Sequence, residues 1–466
     1  MEKRIVLFIV GCCALLMFSC LDSNNTEYTV SRDCQIVSFS LSNDSIEGLE
    51  DVVFTIDQVG GYIFNSDSMP YGTVLNEKAI CTFQRASNYV IRTQAIQQAT
   101  GDTIDVNSGD SLDFSQPVTF INTWADGTTT KAYRAWVNIH QVNPDSMAWG
   151  LYQDQIPEGT IQEEKVVVFG EGDAQAYYMY TQPSGADASY HLYRSPVSDG
   201  HQWEELPVTG LPAGNIRLSQ LTVFKNAFYA ISEEGTLYRS TDGSAWVSAD
   251  EGSTYAVRAL LGCIRPISEE RQTEALTGVV EAEGSLVYAK MTDETTGWEL
   301  GAPVASGFPM SGFGNASFTS RFLARVLVVA GRDSENRLTN ATWSTEDGLT
   351  WSKLTGSDTT FFDAQEGMAL IPYDNEDPNT ENSFFLLSGI DASGTASSEI
   401  YFSRDGGINW SPSDSLIMMP QEFKARGFAS IHVDADNFIY LFGGKETPNS
   451  NVLNEIWRGR INRLGF

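Results

Sequence analysis

The sequence predicts an all-β protein whose larger part is a ring of blades, and three observations carry that expectation. First, short Asp-to-Trp turn boxes recur between residues 145 and 410, with tryptophans at 149, 203, 246, 298, 351 and 410, about 50 residues apart. Second, short apolar runs of strand length separate the boxes, at 165–169, 221–224, 259–261, 326–330, 384–387 and 438–442. Third, beyond the N-terminus no stretch of helical length shows a 3.6-residue apolar period, while 40 glycines supply turns. A repeat of this length with several strands per unit is that of a β-propeller. Six boxes predict six blades, with seven as the alternative.

The fullest box is Ser403-Arg404-Asp405-Gly406-Gly407-Ile408-Asn409-Trp410, entered from the strand-like run Glu399-Ile400-Tyr401-Phe402. Its Asp can accept backbone N–H bonds from its own turn, its glycines supply positive φ, and its Trp opens the next strand. Shorter copies carry Asp242 with Trp246, Asp347 with Trp351, and Asp199 with Trp203. In the copy at 344–351, Glu346 keeps the longer spacing and competes with Asp347 for the Asp place. Two copies are degenerate, at 293–298 and 145–149.

The pattern Ser-x-Asp-x-Gly-x-x-Trp resembles the Asp box, or BNR repeat, of sialidases, sortilin-type receptors and related propellers. That resemblance implies a folding element on a blade turn, away from the ligand face. Asp199, Trp203, Asp242, Trp246, Asp347, Trp351, Asp405 and Trp410 are therefore expected to be structural. The strand endings Ala330-Gly331 and Gly443-Gly444, each followed by a polar loop, resemble kelch blades. Sialidase chemistry does not follow from the boxes, since Arg265-Pro266 lacks the Arg-Ile-Pro order and lies mid-repeat.

The N-terminus reads as an address. Glu2-Lys3-Arg4 precedes a 14-residue apolar run at 5–18, too short for an ordinary membrane span, and Ser19-Cys20 follows. This end resembles a bacterial lipobox, which implies a lipoprotein signal at 1–19 and lipid on Cys20. A polar tether at 20–27 would follow. The expected place is the cell envelope, as an outer-membrane lipoprotein facing the surface or the periplasm, with the membrane as partner through the anchor.

Residues 28–144 lack the box period but alternate as strands do, with a plain hairpin around Asp126-Gly127. They predict a small immunoglobulin-like β-sandwich of about seven strands; the propeller takes 145–466. The stretches 54–57, 63–73 and 140–145 make the chain resemble a family of Bacteroidota lipoproteins that joins such a module to an Asp-box propeller. That resemblance brings no activity with it. Asp57, Asn65 and Asp67 read as turn residues rather than cation ligands. Cys34 and Cys81 are either bridged or two buried thiols, and Cys263 reads as a small apolar core residue.

The formal charge of −31 argues against nucleic acid, whose backbone needs basic patches. Four scattered histidines show no metal spacing, and there is no nucleophile elbow or phosphate loop. No cofactor or metal site is expected. Acidic loops such as 374–379 could hold calcium, but no ligand spacing demands it. Propeller ligands are expected over the central channel, on loops leading into the innermost strands. Those lead-ins carry Arg217, Arg258, Glu366 and Arg426, with Phe313 and Phe361 nearby, a mixture suited to sugar or peptide recognition. The function expected is a binding protein for a glycan or protein ligand, without catalysis. The alternative is an extracellular glycan hydrolase using a carboxylate pair on the propeller face.

One further expectation concerns closure. The strand-like 149–152 has no blade before it, and the last run at 455–461 has no box after it. Pairing them would complete the final blade and remove an exposed strand edge.

Overall fold

The computed structural model describes residues 32–462, apart from 142, 144–145, 186–187, 199–201, 250–254, 269, 321–322, 355–361, 374–382, 388 and 414. Cys20, Asp145, Asp199, Phe361 and the acidic loop at 374–379 lie outside the described residues. The chain divides into two compact units, one ending at Asn143 and the other beginning at Pro144.

The first unit holds two sheets. One has three strands in the order Ile36–Ser42, Ala79–Arg85, Asp110–Leu112. The other has six, in the order Phe54–Asp57, Tyr62–Asn65, Thr130–Trp136, Val118–Trp124, Val90–Gln97, Thr103–Asp105. Tyr62–Asn65 and Thr130–Trp136 run parallel, and the other neighbours are antiparallel. Alternate residues of both sheets, among them Phe39, Leu41, Phe83, Phe120 and Tyr133, meet in one core, as the two-residue period of a strand requires. The hairpin at Asp126-Gly127 forms as expected. Gly127 has φ 72°, and Asp126 Oδ1 accepts the N–H groups of Thr128 and Thr129.

Asp57 accepts the N–H groups of Val59 and Gly60, and buried Asn65 bridges to Asn138 and the Asp67 carbonyl. Both residues thus organise turns. Cys34 and Cys81 are free thiols in separate apolar clusters, and burial pushes the Cys81 thiol up to about 12. Cys263 is buried and free as well.

The second unit carries six sheets of antiparallel strands. The first is Ile161–Phe169, Ala176–Pro183, His191–Pro196, Glu204–Leu206, and the second Thr222–Phe224, Ala227–Ile231, Leu237–Ser240, Val247–Ser248. The third is Ala256–Ile264, Ala275–Ala282, Ser285–Met291, Trp298–Pro303. In the fourth, Pro309–Ser311 and Gly314–Ser320 both pair with Leu323–Asp333, followed by Leu338–Thr345 and Ser352–Lys353. The fifth is Ala369–Tyr373, Ser383–Leu387, Ile400–Ser403, Ser411–Pro412. The sixth has Ser430–Val433, Phe438–Phe442 and Glu455–Ile461, and its outer strand is Met147–Asp154. The register sets Trp149 opposite Gly459, Gly150 opposite Arg458 and Leu151 opposite Trp457, so the two ends of the unit share one sheet.

The inner strands touch one another around a closed circuit, the sixth sheet meeting the first. Six apolar clusters fill the six interfaces between successive sheets. Along Ile161–Phe169, Val166 and Val168 pack toward the sixth sheet, whereas Val167 and Phe169 pack toward the second. Neither face of a sheet can be left to water, which is why such repeats must stack.

The boxes explain the period. Each of the six box tryptophans enters the cluster shared with the preceding sheet: Trp203 between sixth and first, Trp246 between first and second, Trp298, Trp351 and Trp410 at the next three interfaces, and Trp149 between fifth and sixth. The acidic residue builds the turn that aims the ring. Asp405 Oδ1 accepts N–H bonds from Ile408 and Asn409 and the hydroxyl of Ser403, whose Oγ in turn accepts the Gly407 N–H at 3.0 Å. Asp242 with Ser240 and Asp347 with Thr345 repeat this network. In the copy at 344–351 the Asp place therefore belongs to Asp347. Glu346 instead turns outward to an ion pair with Arg325, because Thr345, not Ser344, supplies the turn hydroxyl.

Inner strands leave one backbone edge unpaired, and polar side chains from neighbouring sheets satisfy it. Gln220 accepts the Leu260 N–H and donates to the Met310 carbonyl. Asn315 and Ser317 donate to the Leu261 and Cys263 carbonyls, Arg265 donates to the Val223 carbonyl, and Ser430 Oγ accepts the Val166 N–H. What remains along the axis is an open channel.

Candidate functional site: the central channel

Two adjoining cavities follow the axis. The upper one, about 250 Å³, is framed by Glu163, Glu164 and Lys165, by Phe313, Met368 and Phe428, and by Lys445. The lower one, about 320 Å³, is lined by Lys165, Ser219, Asn315, Arg265 and His432 among others. A wider rim cavity of about 580 Å³ opens above them beside Arg217, Glu233, Arg258 and Asp333. Ser219 and Gln220 line all three.

The mouth is shaped by backbone. Gly367 N–H donates to the Gly312 carbonyl at 2.6 Å, and Phe428 N–H donates to the Gly367 carbonyl at 2.7 Å, linking the fourth, fifth and sixth sheets. Phe428 is held with φ 61°, a left-handed conformation unusual for a bulky side chain. Its ring lies against Gly367, where a Cβ would come within 2.7 Å of Phe428 Cδ2. A glycine at 367, with its own φ of 71°, is thus required for the Phe428 ring to stand at the channel mouth.

The charges differ in their situation. Glu164 packs against Gly443, both its carboxyl oxygens are sealed from solvent, and neither has a hydrogen-bond partner among the described residues. Burial pushes its carboxyl up to about 8, partly offset by the Arg426 guanidinium. Glu163 is also raised by burial, with Lys445 drawing it back, and Lys445 is correspondingly lowered by burial. Lys165 has only part of its surface covered, but the channel walls enclose its ammonium and push it down to about 8. Among the described residues this ammonium has no hydrogen bond or ion pair; only the Lys165 backbone is paired, in the strand register opposite Tyr180.

Glu164 makes a test of this electrostatic description. Its carboxyl stands at about 8 in the folded chain, against about 4.3 in an unfolded one. Between those values the unfolded chain ionises while the folded chain keeps the proton. Stability therefore falls as pH rises through that window, by at most ~1.4 kcal/mol per pH unit, and the effect vanishes below about pH 4 where both states are protonated. The stability advantage of Glu164→Gln over the natural protein, read from urea midpoints, is expected to grow from pH 5 to pH 8. A difference that stays constant would contradict it.

The residues singled out from sequence lie around this channel but are differently employed. Arg217 is paired with Glu233 at 2.9 Å and also donates to the Arg258 carbonyl. Arg258 is paired with Glu281 at 2.6 Å. Glu366 is buried and holds Arg332 through two bonds of 2.7 Å. Arg426 is 1% exposed, bonded to Glu455, the Gly443 carbonyl and the Lys424 carbonyl, and seated over the Phe423 ring at 4.3 Å. These groups brace the lead-in loops. Phe313 does line both channel cavities.

Sequence reasoning missed Lys165, Glu163, Glu164, Phe428, Lys445 and Ser219. One signal was present: Glu163-Glu164-Lys165 stands at the head of the otherwise apolar 166–169, an odd place for three charges unless that end of the strand meets a polar space.

The solved structures similar to this one are distant. YjhT aligns with 65% of this chain and 96% of its own at 13% identity and a TM-score of 0.40. The lectin of Aleuria aurantia, in complex with α-methyl-L-fucoside, aligns over 64% and 93% at 14% identity and a TM-score of 0.40. The NanB sialidase of Streptococcus pneumoniae aligns over 85% and 92% at 11% identity and a TM-score of 0.40. A comparison with curated proteins finds no match. Residues 22–137 match the domain of unknown function (DUF6242) N-terminal domain and residues 143–466 match the DUF6242 beta propeller domain, so the chain belongs to the DUF6242 family and its second unit is a β-propeller.

Proposed function

We propose that this protein is a lipid-anchored binding protein of the cell envelope whose propeller receives part of a glycan or protein ligand at its central channel, without catalysis. In this reading the six sheets are six blades, the first unit is an immunoglobulin-like spacer, and Cys20 carries the anchor. One observation carries it: the channel mouth joins two aromatic rings, Phe313 and Phe428, to the polar groups Ser219, Glu163 and Lys445 around an open cavity. Aromatic faces beside hydrogen-bonding groups suit sugars and peptides alike.

The alternative is a glycan hydrolase, and the raised Glu164 carboxyl is the observation in its favour, since a proton donor at neutral pH needs such a shift. Against it, both Glu164 oxygens are sealed behind the channel wall. A glycan and peptide array probed with the chain from Leu21 onward, followed by turnover assays on each hit, tests both. Binding without turnover is expected; hydrolysis of a bound glycan would replace the proposal, and an array with no hits would remove its support. Separately, Cys20→Ser is expected to leave the precursor uncleaved and abolish labelling by a fatty-acid analogue. Labelling that persists in the variant would rule out that anchor.

A further inference from the structure

The lower channel departs from the rest of the molecule in its charge. The chain has 60 acidic and 29 basic residues, yet the lower cavity is lined by Lys165, Arg265 and His432 and by no carboxylate. The contrast with the rim is sharp. Arg217, Arg258, Arg332 and Arg426 each have a carboxylate partner. Among the described residues Lys165 and Arg265 have none. Arg265 donates one N–H to the Val223 carbonyl, and the Lys165 ammonium has no hydrogen-bond partner among the described residues. The nearby acids stand outside this lining: Asp434 acts on His432 and Glu274 on Cys263, while Glu163 and Glu164 line the upper cavity. An enclosed, unpaired ammonium is costly, and no carboxylate among the described residues pairs with it to offset that cost.

Resting on the reading of the channel as a ligand site, we infer that the lower channel is a site for the carboxylate of a small organic acid, held by Lys165. The cavity of about 320 Å³ lies at the small end of the roughly 300–1,000 Å³ usual for small-molecule sites, so the acid has about the bulk of a single sugar ring. The ammonium supplies the charge and three donors, Ser219 offers a hydroxyl, and Arg265 has further N–H groups at the lower end. Phe313 gives the body of the ligand an apolar wall. Binding gives Lys165 the counter-charge it lacks, which is where the affinity comes from.

The test is calorimetric titration of the chain from Leu21 onward, which contains every described residue, with sodium D-glucuronate and with neutral D-glucose. Glucuronate is expected to bind at least tenfold more tightly than glucose, and Lys165→Met to bring glucuronate down to the level of glucose. In the natural protein the ammonium is charged below about pH 8 and neutral above it, so glucuronate affinity is expected to hold from pH 6 to 7.5 and to fall steadily above pH 8. This pH series decides the matter should Lys165→Met fail to fold. Absence of glucuronate binding, equal binding of the two sugars, undiminished binding by a folded Lys165→Met, or a flat profile to pH 10 would each overturn the inference. Array ligands that are neutral and still enter the channel would leave the binding reading standing while removing this one.

Discussion

Replacing Trp410 with alanine is expected to destabilise the propeller by about 3–5 kcal/mol, as for other buried Trp and Phe truncations. Trp410 is fully buried, packs edge-on to Phe362, and donates its indole N–H to Thr342 Oγ1 of the preceding sheet at 3.0 Å. Truncation opens a cavity at the interface of the fourth and fifth sheets and removes the indole bond to Thr342 Oγ1. Nothing of Trp410 reaches the channel. A urea denaturation curve should therefore shift strongly while any ligand affinity of the folded fraction stays unchanged. An unshifted midpoint with lost binding would turn the box from a folding element into a recognition element.

Deleting residues 147–153 is expected to have a larger effect still. This segment supplies nearly all of Met147–Asp154, the strand that joins the N-terminal end of the propeller to Glu455–Ile461. Its removal exposes the edge of the sixth sheet and takes Met147 and Trp149 from the interface with the fifth. Met147 alone would account for ~2–5 kcal/mol, before the lost ladder and tryptophan are counted. The whole propeller is expected to lose its cooperative transition. A chain beginning at Pro144 keeps all six sheets and should melt as a single unit. Retention of a cooperative transition by the deletion variant would mean that the ring does not depend on sharing a sheet between its ends.

Much of the architecture was legible because its determinants are local. An Asp that caps its own turn, a glycine at positive φ and a Trp three or four residues later specify the same turn wherever they occur. Counting them counts the interfaces between sheets. Closure was legible too, since an orphan strand at 149–152 and an unfinished group at 455–461 complete one another. Strand number in the first unit was less so. The three-residue strands Thr103–Asp105 and Asp110–Leu112 are too short to show a period, and Tyr62–Asn65 finds its parallel partner seventy residues on.

The site was the least legible part, for a physical reason. Arg217, Arg258 and Arg426 were picked out by position, but their carboxylate partners Glu233, Glu281 and Glu455 come from later in the chain, so position alone could not show that they were already paired. Lys165 is the opposite case. It looks like a solvated strand residue in sequence, and only the approach of the second, fourth and sixth sheets encloses it without a partner.

The central claim is that ligand enters the channel. Ser219 tests it most directly, since it is exposed and lines all three cavities while contributing nothing to the apolar clusters between sheets. Ser219→Trp would fill the passage and leave the interfaces intact. The measurement is the glycan and peptide array repeated with folded Ser219→Trp beside the natural chain. The account predicts that every hit of the natural protein is lost in the variant; hits retained at full strength would place the binding surface elsewhere and contradict it.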